Sequence, residues 1–511
     1  MTDISERATP VQRSTRDLTR AAVSGWLGTA MEFMDFQLYS LAAAIVFNHI
    51  FFPDVSPAIG LIAAMATYGV GYVARLAGAV YFGRMGDRIG RKRVLFITIT
   101  MMGASTTLIG VLPTYQAIGI LAPMLLVLLR LIQGFGAGAE IAGATVMLAE
   151  YAPPKRRGLI ASLVSLGTNS GTLAASGLWA ILVAVLSEQQ LLSWGWRLPF
   201  LLSFILMIFA VWMRRNLKES PVFEEREAKT APPIEAAVKQ RKGRSFFLAL
   251  GLRFGQAGNS GLVQTFLVGY IATDLAVSKS VPTTSIVWGS LLGFATVPLI
   301  GLLGDRVGRR PVYIALSILT MLFAVPMLLL ITSGSTAGIM AGMILGLNVG
   351  VLGLFSLESV TMAELFGARN RFTQLALAKE IGGILATAIG PVTAAALTAW
   401  TGHWWPIAAM LIVYSAITLV SAVLSPETRG RDLVRLEDAS SSEPVRLESS
   451  EPVRLEEPFA SVRSEDASLS DAVRSEDASL SDAVRSEDAS SSESVRSGDA
   501  SSSEPELREA R

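Results

Sequence analysis

The stretch GRMGDRIGRKR, residues 83–93, places a dense group of charged side chains inside sequence that is apolar over long distances on both sides. A second copy, GLLGDRVGRR, occupies residues 301–310, at a fixed offset of 218 that pairs Asp87 with Asp305. Each copy follows one long apolar run and precedes another, at the same place within its half of the chain. This arrangement indicates a duplicated membrane protein in which each charged hairpin joins two membrane-spanning helices.

The composition is typical of a protein that is dissolved in lipid. Of the 511 residues, 51% are hydrophobic and only 17% are charged, which departs from the average of soluble domains. The chain has no Cys and only two His, His49 and His403, so disulfides, thiol catalysis and Cys/His metal sites are excluded. We therefore expect no metal and no cofactor. The N-terminus is polar and basic, and we expect no cleaved signal peptide.

Twelve apolar runs are long enough to cross the hydrocarbon core, which takes about 20 helical residues each. The first half supplies 22–47, 58–82, 94–113, 119–148, 158–186 and 194–213. The second half supplies 246–272, 283–304, 311–332, 336–362, 373–400 and 404–424. The predicted fold is therefore an all-α membrane protein with twelve transmembrane helices in two pseudo-symmetric six-helix bundles.

The distribution of Lys and Arg predicts the orientation, because positive residues are retained on the cytoplasmic side during insertion. Of those outside the spans and the low-complexity tail, 28 lie in the N-terminal segment, in the loops after even-numbered spans and just after span 12. The opposite loops hold essentially Arg197 and Lys279. We therefore expect both termini and both charged hairpins on the cytoplasmic side of the plasma membrane. The opposite orientation would place nearly all of this charge on the wrong side.

A second repeated signal supports the division into halves. Glu150 and Arg157 after span 4 match Glu364 and Arg371 after span 10, at an offset of 214 residues. Between the halves, a charged stretch that contains Pro predicts a cytoplasmic linker. The predicted domains are a cytoplasmic N-terminal segment at 1–20, an N-terminal bundle at 21–213, the linker at 214–245, a C-terminal bundle at 246–425 and a tail at 426–511.

The tail has a composition of its own. From Glu427 onward it consists largely of Ser, Glu, Asp and Arg, with Arg463, Arg474, Arg485 and Arg496 at eleven-residue intervals. An eleven-residue period is also compatible with a right-handed coiled coil. Each unit, however, offers only a Val, a Leu and some Ala to bury, too little apolar surface to offset the entropy of ordering. We therefore predict a disordered low-complexity tail.

Several motifs resemble those of a known family. The GxxxDRxGR hairpins after spans 2 and 8 of a twelve-span chain resemble the signature of the major facilitator superfamily. More narrowly, GTAMEFMDFQLY in span 1, LLRLIQGFGAGAEIAGATVMLAEYAPPKRRG around span 4 and AELFGARNRFTQLALAKEIGGI entering span 11 resemble the metabolite:proton symporters. That group includes carriers of dicarboxylates and tricarboxylates, of shikimate, and of proline or betaine. The resemblance covers roughly residues 20–430 and implies secondary active transport without naming a substrate.

Carboxylates inside the bundle are the candidates for proton coupling, because a charge in mid-membrane costs at least about 2.5 kcal/mol and marks a functional position. Glu32 and Asp35 lie three residues apart about halfway along span 1, on one helical face. In a low dielectric and near each other, at least one of them is expected to exchange a proton. The alternative is that one simply accepts hydrogen bonds from a neighbouring Arg, Tyr or Trp. Glu140 on span 4 is a third candidate, for proton transfer or for a gate ion pair.

Three basic residues in the spans are candidates for substrate binding. Arg130 resembles the arginine of the superfamily's span 4 motif and can bind a carboxylate through two hydrogen bonds, although a structural partner is the alternative. Arg75 on span 2 suits gating or a structural role, with substrate contact as the alternative. Lys379 on span 11 is a second cation for an organic anion unless it extends to the cytoplasmic interface. Arg253, early in span 7, is expected at that interface.

The hairpins and the ends of spans 4 and 10 predict a cytoplasmic gate, besides fixing the topology through their charge. The resemblance implies that Asp87 faces the N-terminal end of span 11 and nearby arginines and holds the cytoplasmic side closed. Asp305 is expected to do the same across the pseudo-symmetry axis. Glu358 is assigned to one network with Glu364 and Arg371. The predicted gating residues are Asp87, Arg88, Arg91, Asp305, Arg309, Glu150, Glu364 and Glu358.

Together these features predict a proton-driven symporter that takes up a small organic anion or zwitterion by alternating access. The alternatives are a proton-driven efflux carrier, whose Gly-Pro-rich pattern is missing from GTNSGTLAASG in span 5, and a membrane sensor that has lost transport. An enzyme is not expected, because both His lie in outer loops. The expected partners are a small-molecule substrate, protons and the lipid bilayer, with no nucleic acid, and the protein is expected to be a monomer.

Overall fold

The computed structural model describes residues 14–435 and 438–439, apart from residues 55–56, 229–242, 276 and 279. All of these described residues belong to one compact unit. The predictions that concern residues 1–13, the middle of the linker and the tail from residue 440 onward lie outside the described residues.

Twelve long helices follow one another through the described part of the chain. In the first half they are α1 (Thr15–Phe47), α2 (Pro57–Ile89), α3 (Arg91–Val111), α4 (Leu121–Tyr151), α5 (Pro154–Val185) and α6 (Arg197–Arg215). In the second half they are α7 (residues 244–273), α8 (Ser280–Val307), α9 (Arg309–Thr332), α10 (Thr336–Leu365), α11 (Arg371–Thr401) and α12 (Trp405–Leu424). Within the described residues, ten of them, all except α2 and α7, are long and apolar enough to cross a membrane by length and composition.

The helices form the two pseudo-symmetric bundles that the repeated hairpins predict. In the first bundle α1 packs on α5 and α3 on α6, and in the second bundle α7 packs on α11 and α9 on α12. The bundles meet where α2 contacts α11 and where α5 contacts α8. These two contacts, which we call the α2–α11 seam and the α5–α8 seam, are related by the pseudo-symmetry. The fold prediction is confirmed.

Both hairpins turn at a glycine that no other residue replaces without strain. Gly90 between α2 and α3 has φ 100° and ψ 158°, and Gly308 between α8 and α9 has φ 119° and ψ 158°. This region of backbone space is essentially restricted to glycine, because a Cβ would clash there. The repeated glycine of the motif is therefore a requirement of the turn. We call the end of the bundles that carries these two turns the hairpin end.

Irregular backbone interrupts the first helix of each successive group of three. A π-helical turn occurs in α1 at Ala43–Phe47, in α7 at Gly261–Phe266 and in α10 at Leu347–Gly353. In α4 the break is a turn at residues 138–139. Such single turns are found often at functional sites, because they redirect side chains and free backbone groups. Composition alone does not reveal them.

The segment that follows α12 packs on the bundles, whereas composition places the start of the tail at residue 426. Arg371 donates a hydrogen bond to the carbonyl of Leu433 at 2.7 Å, and the Ala368 amide donates to the carbonyl of Arg435 at 2.9 Å. The Leu433 side chain is buried. One leucine and several backbone partners are enough to hold the segment, which we call the strap (residues 428–435). The first part of the predicted tail is thus attached to the fold.

Candidate functional site

Asp35 is buried inside the first bundle. Its carboxylate accepts hydrogen bonds from the hydroxyl of Thr106 on α3 at 2.7 Å and from the hydroxyl of Ser203 on α6 at 3.3 Å. The residue has no exposed surface. Both of these donors are neutral, and a carboxylate that neutral groups hold in low dielectric is costly to keep ionised. The arrangement is chemically suited to binding a proton.

Arg130 lies beside this carboxylate. Its guanidinium carbon is 4.4 Å from the centre of the Phe36 ring and 4.3 Å from the centre of the Tyr39 ring, so the cation is held between two aromatic faces. Arg130 also donates a short hydrogen bond to the side chain of Gln133. Gln133 in turn donates to Thr106 at 2.6 Å, and Thr106 donates to Asp35. A continuous polar chain therefore joins Arg130 to Asp35.

Glu32 belongs to a different group of charges. Arg75 on α2 donates through Nη1 to Glu32 at 2.6 Å, and through Nε and Nη2 to the two oxygens of Glu380 on α11 at 2.8 Å each. The Glu32 carboxylate is fully buried, and its Oε2 has no hydrogen-bond partner among the described residues. Arg75 thus joins α1 to α2 and, across the seam, to α11.

Glu32 and Asp35, which the sequence places on one face of α1, contact different neighbours. A separation of three residues turns the second side chain about 60° around the helix axis. In α1 this directs Glu32 toward Arg75 on α2 and Asp35 toward Thr106 on α3. Sequence spacing cannot show this difference, because both side chains point into the interior of the bundle and the spacing does not say which helix each one meets.

The second bundle has its own group of buried charges. Lys379 on α11 lies 2.5 Å from Glu358 on α10, and Arg253 on α7 lies 3.4 Å from the same carboxylate. Lys379 is therefore an ion-paired core residue that does not reach the interface, and the interfacial placement of Arg253 is wrong. Glu358 is also misplaced by the sequence: six residues, or about 9 Å of helix, separate it from Glu364, which puts it at the level of Lys379.

Glu140 forms a buried ion pair inside the first bundle. Arg214 on α6 donates two hydrogen bonds to its carboxylate, one of them short and one at 2.9 Å, and the hydroxyl of Thr98 on α3 donates at 2.7 Å. Glu140 and Arg214 are both buried. The sequence counts Arg214 with the polar linker, since it directly precedes it. Its pairing with Glu140 fits the ion-pair alternative for this residue.

At the hairpin end, Asp87 contacts the start of α11. It accepts hydrogen bonds from the backbone N–H of Phe372 at 3.2 Å and from the backbone and hydroxyl of Thr373 at 2.9 and 2.6 Å. A carboxylate is favoured here, because the N-terminus of a helix carries partial positive charge. This is the contact that the resemblance implies, and its role in gating stays a prediction.

Asp305 makes the equivalent contact with the start of α5. It accepts from the backbone N–H of Gly158 and of Leu159 at 2.8 Å each. Arg309, at the start of α9, donates to the same carboxylate at 2.8 Å. The two aspartates therefore each connect one bundle to the other, once at each seam.

Two glutamates extend this contact between the bundles. Glu150 at the end of α4 lies 3.3 Å from Arg91 of its own half and 2.6 Å from Arg371 of the other half. Glu364 at the end of α10 lies 3.2 Å from Arg309 of its own half and 3.0 Å from Arg157 of the other half. All six side chains of this group are buried. The hairpin end is closed by a charge network that repeats with the pseudo-symmetry.

Sequence reasoning missed a third repeated element of this network. Glu219, which follows α6, accepts from the backbone N–H of Arg91 at 2.9 Å, and Glu427, which follows α12, accepts from the backbone N–H of Arg309 at 2.9 Å. The signal for it is present, because these glutamates recur at an offset of 208 residues. Arg88, in contrast, is exposed and forms no ion pair with a described residue, since it points away from its neighbour Asp87.

The strap reaches the same network. Arg157 donates to the carbonyl of Arg431 at 2.9 Å, and Thr428 donates to Glu364 at 2.9 Å. Burial, together with the nearby charge of Arg371, lowers the pKa of Arg431 to about 10. The strap therefore contacts residues of both halves.

Comparison with known proteins agrees with this architecture. The family model described as Major Facilitator Superfamily matches residues 25–377, well over half of the chain. The chain belongs to the major facilitator superfamily. A relative in Escherichia coli (strain K12), YdfJ, whose name specifies a transporter but no substrate, is 56% identical over 416 residues, which are 80% of this chain and 97% of that protein.

Two further comparisons describe this superfamily member. The shikimate transporter of Escherichia coli (strain K12) is 35% identical over 416 residues, covering 80% of this chain and 95% of that protein. The solved structure of the proton:xylose symporter XylE bound to 6-bromo-6-deoxy-D-glucose has a TM-score of 0.66 at 16% identity, with 83% of this chain and 99% of that chain covered. It shares the fold. The protein is therefore a multi-pass membrane transporter of this superfamily.

The pseudo-symmetry of this transporter distinguishes polar residues that recur in both halves from polar residues that occur in only one half. The network at the hairpin end recurs in both halves, as expected for parts of the frame or gate. The group around Asp35 does not: the offsets of 218 and 214 place Ala324 opposite Thr106 and Leu347 opposite Gln133. Ala324 and Leu347 are buried in an apolar cluster. The polar chain that joins Arg130 to Asp35 is thus specific to the first bundle.

Proposed function

We propose that this transporter is a proton-coupled symporter that takes up a small organic anion or zwitterion across the plasma membrane. The observation that carries the proposal is the buried carboxylate of Asp35, which accepts hydrogen bonds from two neutral hydroxyls and is joined through Thr106 and Gln133 to Arg130. In the second bundle the positions opposite Thr106 and Gln133 are the apolar Ala324 and Leu347. A titratable group that costs free energy in the membrane supports a role in proton movement.

The orientation follows from the positive charge of the loops, which we propose lies on the cytoplasmic side. The hairpin end is then the cytoplasmic end, and both termini are cytoplasmic. The closed network of Glu150 and Glu364 would make the described conformation one that is shut toward the cytoplasm. Alternating access requires that this network separates as the bundles rock.

The cations that lie inside the bundles support an anionic substrate. Arg75, Arg130, Arg253 and Lys379 lie in the bundles, where cations are kept at a cost. The shikimate transporter, a relative of this chain, is named for a compound that carries a carboxylate. A carboxylate-bearing metabolite is accordingly the substrate class that we infer.

Uptake into proteoliposomes tests the proposal. With an inward proton gradient imposed, radiolabelled shikimate, proline or glycine betaine should accumulate above its external concentration, and a proton ionophore should abolish the accumulation. Accumulation of these compounds that is unaffected by the ionophore would overturn proton coupling. Counterflow without a gradient, measured on the same vesicles, separates a protein that carries the compound from one that does not.

A further inference from the structure

The α2–α11 seam contains a buried ion pair at some distance from the hairpin end. Arg75 donates to both oxygens of Glu380 at 2.8 Å, in the two-point geometry by which a guanidinium binds a carboxylate. The two side chains are each about nine-tenths buried. Glu380 lies seven residues, or about 10 Å of helix, beyond Thr373, where Asp87 already closes the same seam. The seam thus has two separate polar contacts between the bundles.

The α5–α8 seam has no ion pair that corresponds to this deeper contact. The offset of 218 places Gly293 of α8 opposite Arg75, and the offset of 214 places Leu166 of α5 opposite Glu380. The α5–α8 seam therefore keeps the contact of Asp305 but has no ion pair at these positions. A buried ion pair is weak evidence for stability, because desolvation offsets most of its attraction. We therefore infer that the Arg75–Glu380 pair serves the function of the protein.

The charges that face Glu380 are arranged so that the interior is neutral, with the ionised Asp35 balancing the buried Arg130. On α2 and α1, Arg75 and Glu32 face it, and with Glu380 they carry one excess negative charge when all are ionised. Its neighbour Lys379 turns to Glu358, which Arg253 on α7 also contacts, and these three carry one excess positive charge. Farther away, Glu140 of α4 is neutralised by Arg214. Adding one charge of either sign alone leaves an uncompensated charge in low dielectric.

We propose that the Nε and Nη2 edge of Arg75 is the site for the carboxylate of a small monocarboxylate substrate, and that Glu380 is the internal carboxylate that the substrate displaces. The inference rests on the proposed function and specifies its site. Glu380, once displaced from Arg75, binds the proton that Asp35 takes up from the outer water and passes on, so the interior stays neutral with substrate and proton both present. On the inner side both leave, and Glu380 returns to Arg75.

This exchange explains coupling at the level of charges. With only the proton bound, the interior has one excess positive charge, and with only the substrate it has one excess negative charge. Both partly loaded states are disfavoured, so the neutral loaded carrier and the neutral empty carrier are the ones that reorient. The stoichiometry that follows is one proton for each monocarboxylate. The displaced ion pair also frees the α2–α11 seam to open.

Glu380→Gln is the decisive variant, since it keeps the shape and removes both the charge and the proton site. With shikimate as the probe, we expect the variant to bind at least about tenfold more tightly than the natural chain in alkaline buffer, because no internal carboxylate competes for Arg75. The affinity of Glu380→Gln for shikimate should be the same in acidic and in alkaline buffer, whereas the natural chain should bind shikimate more tightly as pH falls. Counterflow should persist and accumulation driven by protons should be lost.

Two comparisons keep this outcome specific. The methyl ester of shikimate lacks the carboxylate and should bind neither protein, and Arg75→Lys should lose affinity because an ammonium cannot form the two-point contact. If Glu380→Gln loses affinity as Arg75→Lys does, or keeps proton-driven accumulation, the inference is overturned while the proposed function stands. If the natural chain accumulates no compound under a gradient, the proposed function fails first.

A distance measurement without ligand tests independently whether the Arg75–Glu380 pair helps to close the α2–α11 seam. The chain has no Cys, so spin labels at Ile89→Cys and Asn370→Cys, both at exposed positions, report the distance between α2 and the start of α11 without background. We expect Glu380→Gln to lengthen this distance. Glu358→Gln is the matched control, because its ion pairs lie within the second bundle and its loss should leave the distance unchanged. An unchanged distance in Glu380→Gln would show that the Arg75–Glu380 pair does not help to close the α2–α11 seam, and would overturn the inference.

Discussion

Asp87 and Asp305 perform the same contact in opposite halves of the molecule. Asp87 accepts hydrogen bonds from the backbone N–H groups of residues 372 and 373 at the start of α11, and Asp305 from those of residues 158 and 159 at the start of α5. A carboxylate at a helix N-terminus contributes about 0.3–1 kcal/mol, and up to about 2 kcal/mol where it is partly buried. Each seam therefore has a contact of moderate strength between the bundles, which suits the gating role that we predict for it.

Neutralising these aspartates should open the hairpin end. Asp87→Asn keeps the size of the side chain but removes the charge that favours the helix terminus, so we expect the closed population to fall. A loss of about 1.4 kcal/mol corresponds to a factor of about ten in the ratio of closed to open molecules. Asp305→Asn should add to the effect, because the two sites share no partner. Label-to-label distances across each seam measure the populations.

The matched control removes a neutral part of the same contact. Thr373→Val deletes the hydroxyl that donates to Asp87 and keeps the backbone donor. We expect a smaller shift than in Asp87→Asn. Equal distances in Asp87→Asn and the natural chain would show that the aspartate does not close the seam.

Gly90→Ala and Gly308→Ala should destabilise the protein. The two glycines adopt φ 100° and φ 119°, where an alanine is strained by about 1–3 kcal/mol. Thermal unfolding in detergent should show a lower midpoint for each variant. Gly177→Ala in α5 is the control, because its added methyl group would meet no atom within 4 Å and its φ is not positive. A midpoint for Gly90→Ala equal to that of Gly177→Ala would contradict the backbone argument.

The fold and the hairpin end could be predicted because their signals are repeated in sequence. Apolar runs of membrane length define the helices, and the recurring Asp87 and Asp305 mark the hairpins. The resemblance to the family also predicted the contact partner of Asp87, which is the start of α11. Glu219 and Glu427 also repeat between the halves, at an offset of 208 residues. They lie among many other charged residues after α6 and α12, so the repeat does not stand out in the sequence. Their function as helix caps is visible only when the helix ends are placed in space.

The deeper charges could be located but not paired. Which neighbour a buried side chain meets depends on its direction around the helix and on the packing of the other helices, and neither is encoded in spacing. Glu380 next to Lys379 is an example: the two point to different bundles, Glu380 to Arg75 and Lys379 to Glu358. Arg214 is another, since a position beside a polar linker is typical of an interfacial residue.

Asp35→Asn should separate transport from its driving force. The amide oxygen can still accept a hydrogen bond from Thr106 and the amide N–H can donate to the Ser203 hydroxyl, so folding and substrate exchange should persist, but the amide cannot bind a proton. We expect counterflow of shikimate at a rate near that of the natural chain and no accumulation under an inward proton gradient. Asp54→Asn, at an exposed acid outside the long helices, is the control and should accumulate normally. Accumulation by Asp35→Asn would exclude this carboxylate as the coupling group.

Truncation should distinguish the strap from the rest of the C-terminal region. A chain that ends at residue 439 keeps the strap, and we expect its unfolding midpoint and seam distances to match those of the full chain. A chain that ends at residue 425 loses the cap of Glu427 on α9 and the hydrogen bond of Thr428 to Glu364. These losses are worth on the order of 2–4 kcal/mol together, since a lost cap costs about 1 kcal/mol and a hydrogen bond to a buried charge about 1.5–3 kcal/mol. Because a short chain can fail to fold, Glu427→Gln in the full chain tests the cap alone and should lower the midpoint by a smaller amount. Equal midpoints for the two truncated chains would show that the strap contributes nothing to the closed hairpin end.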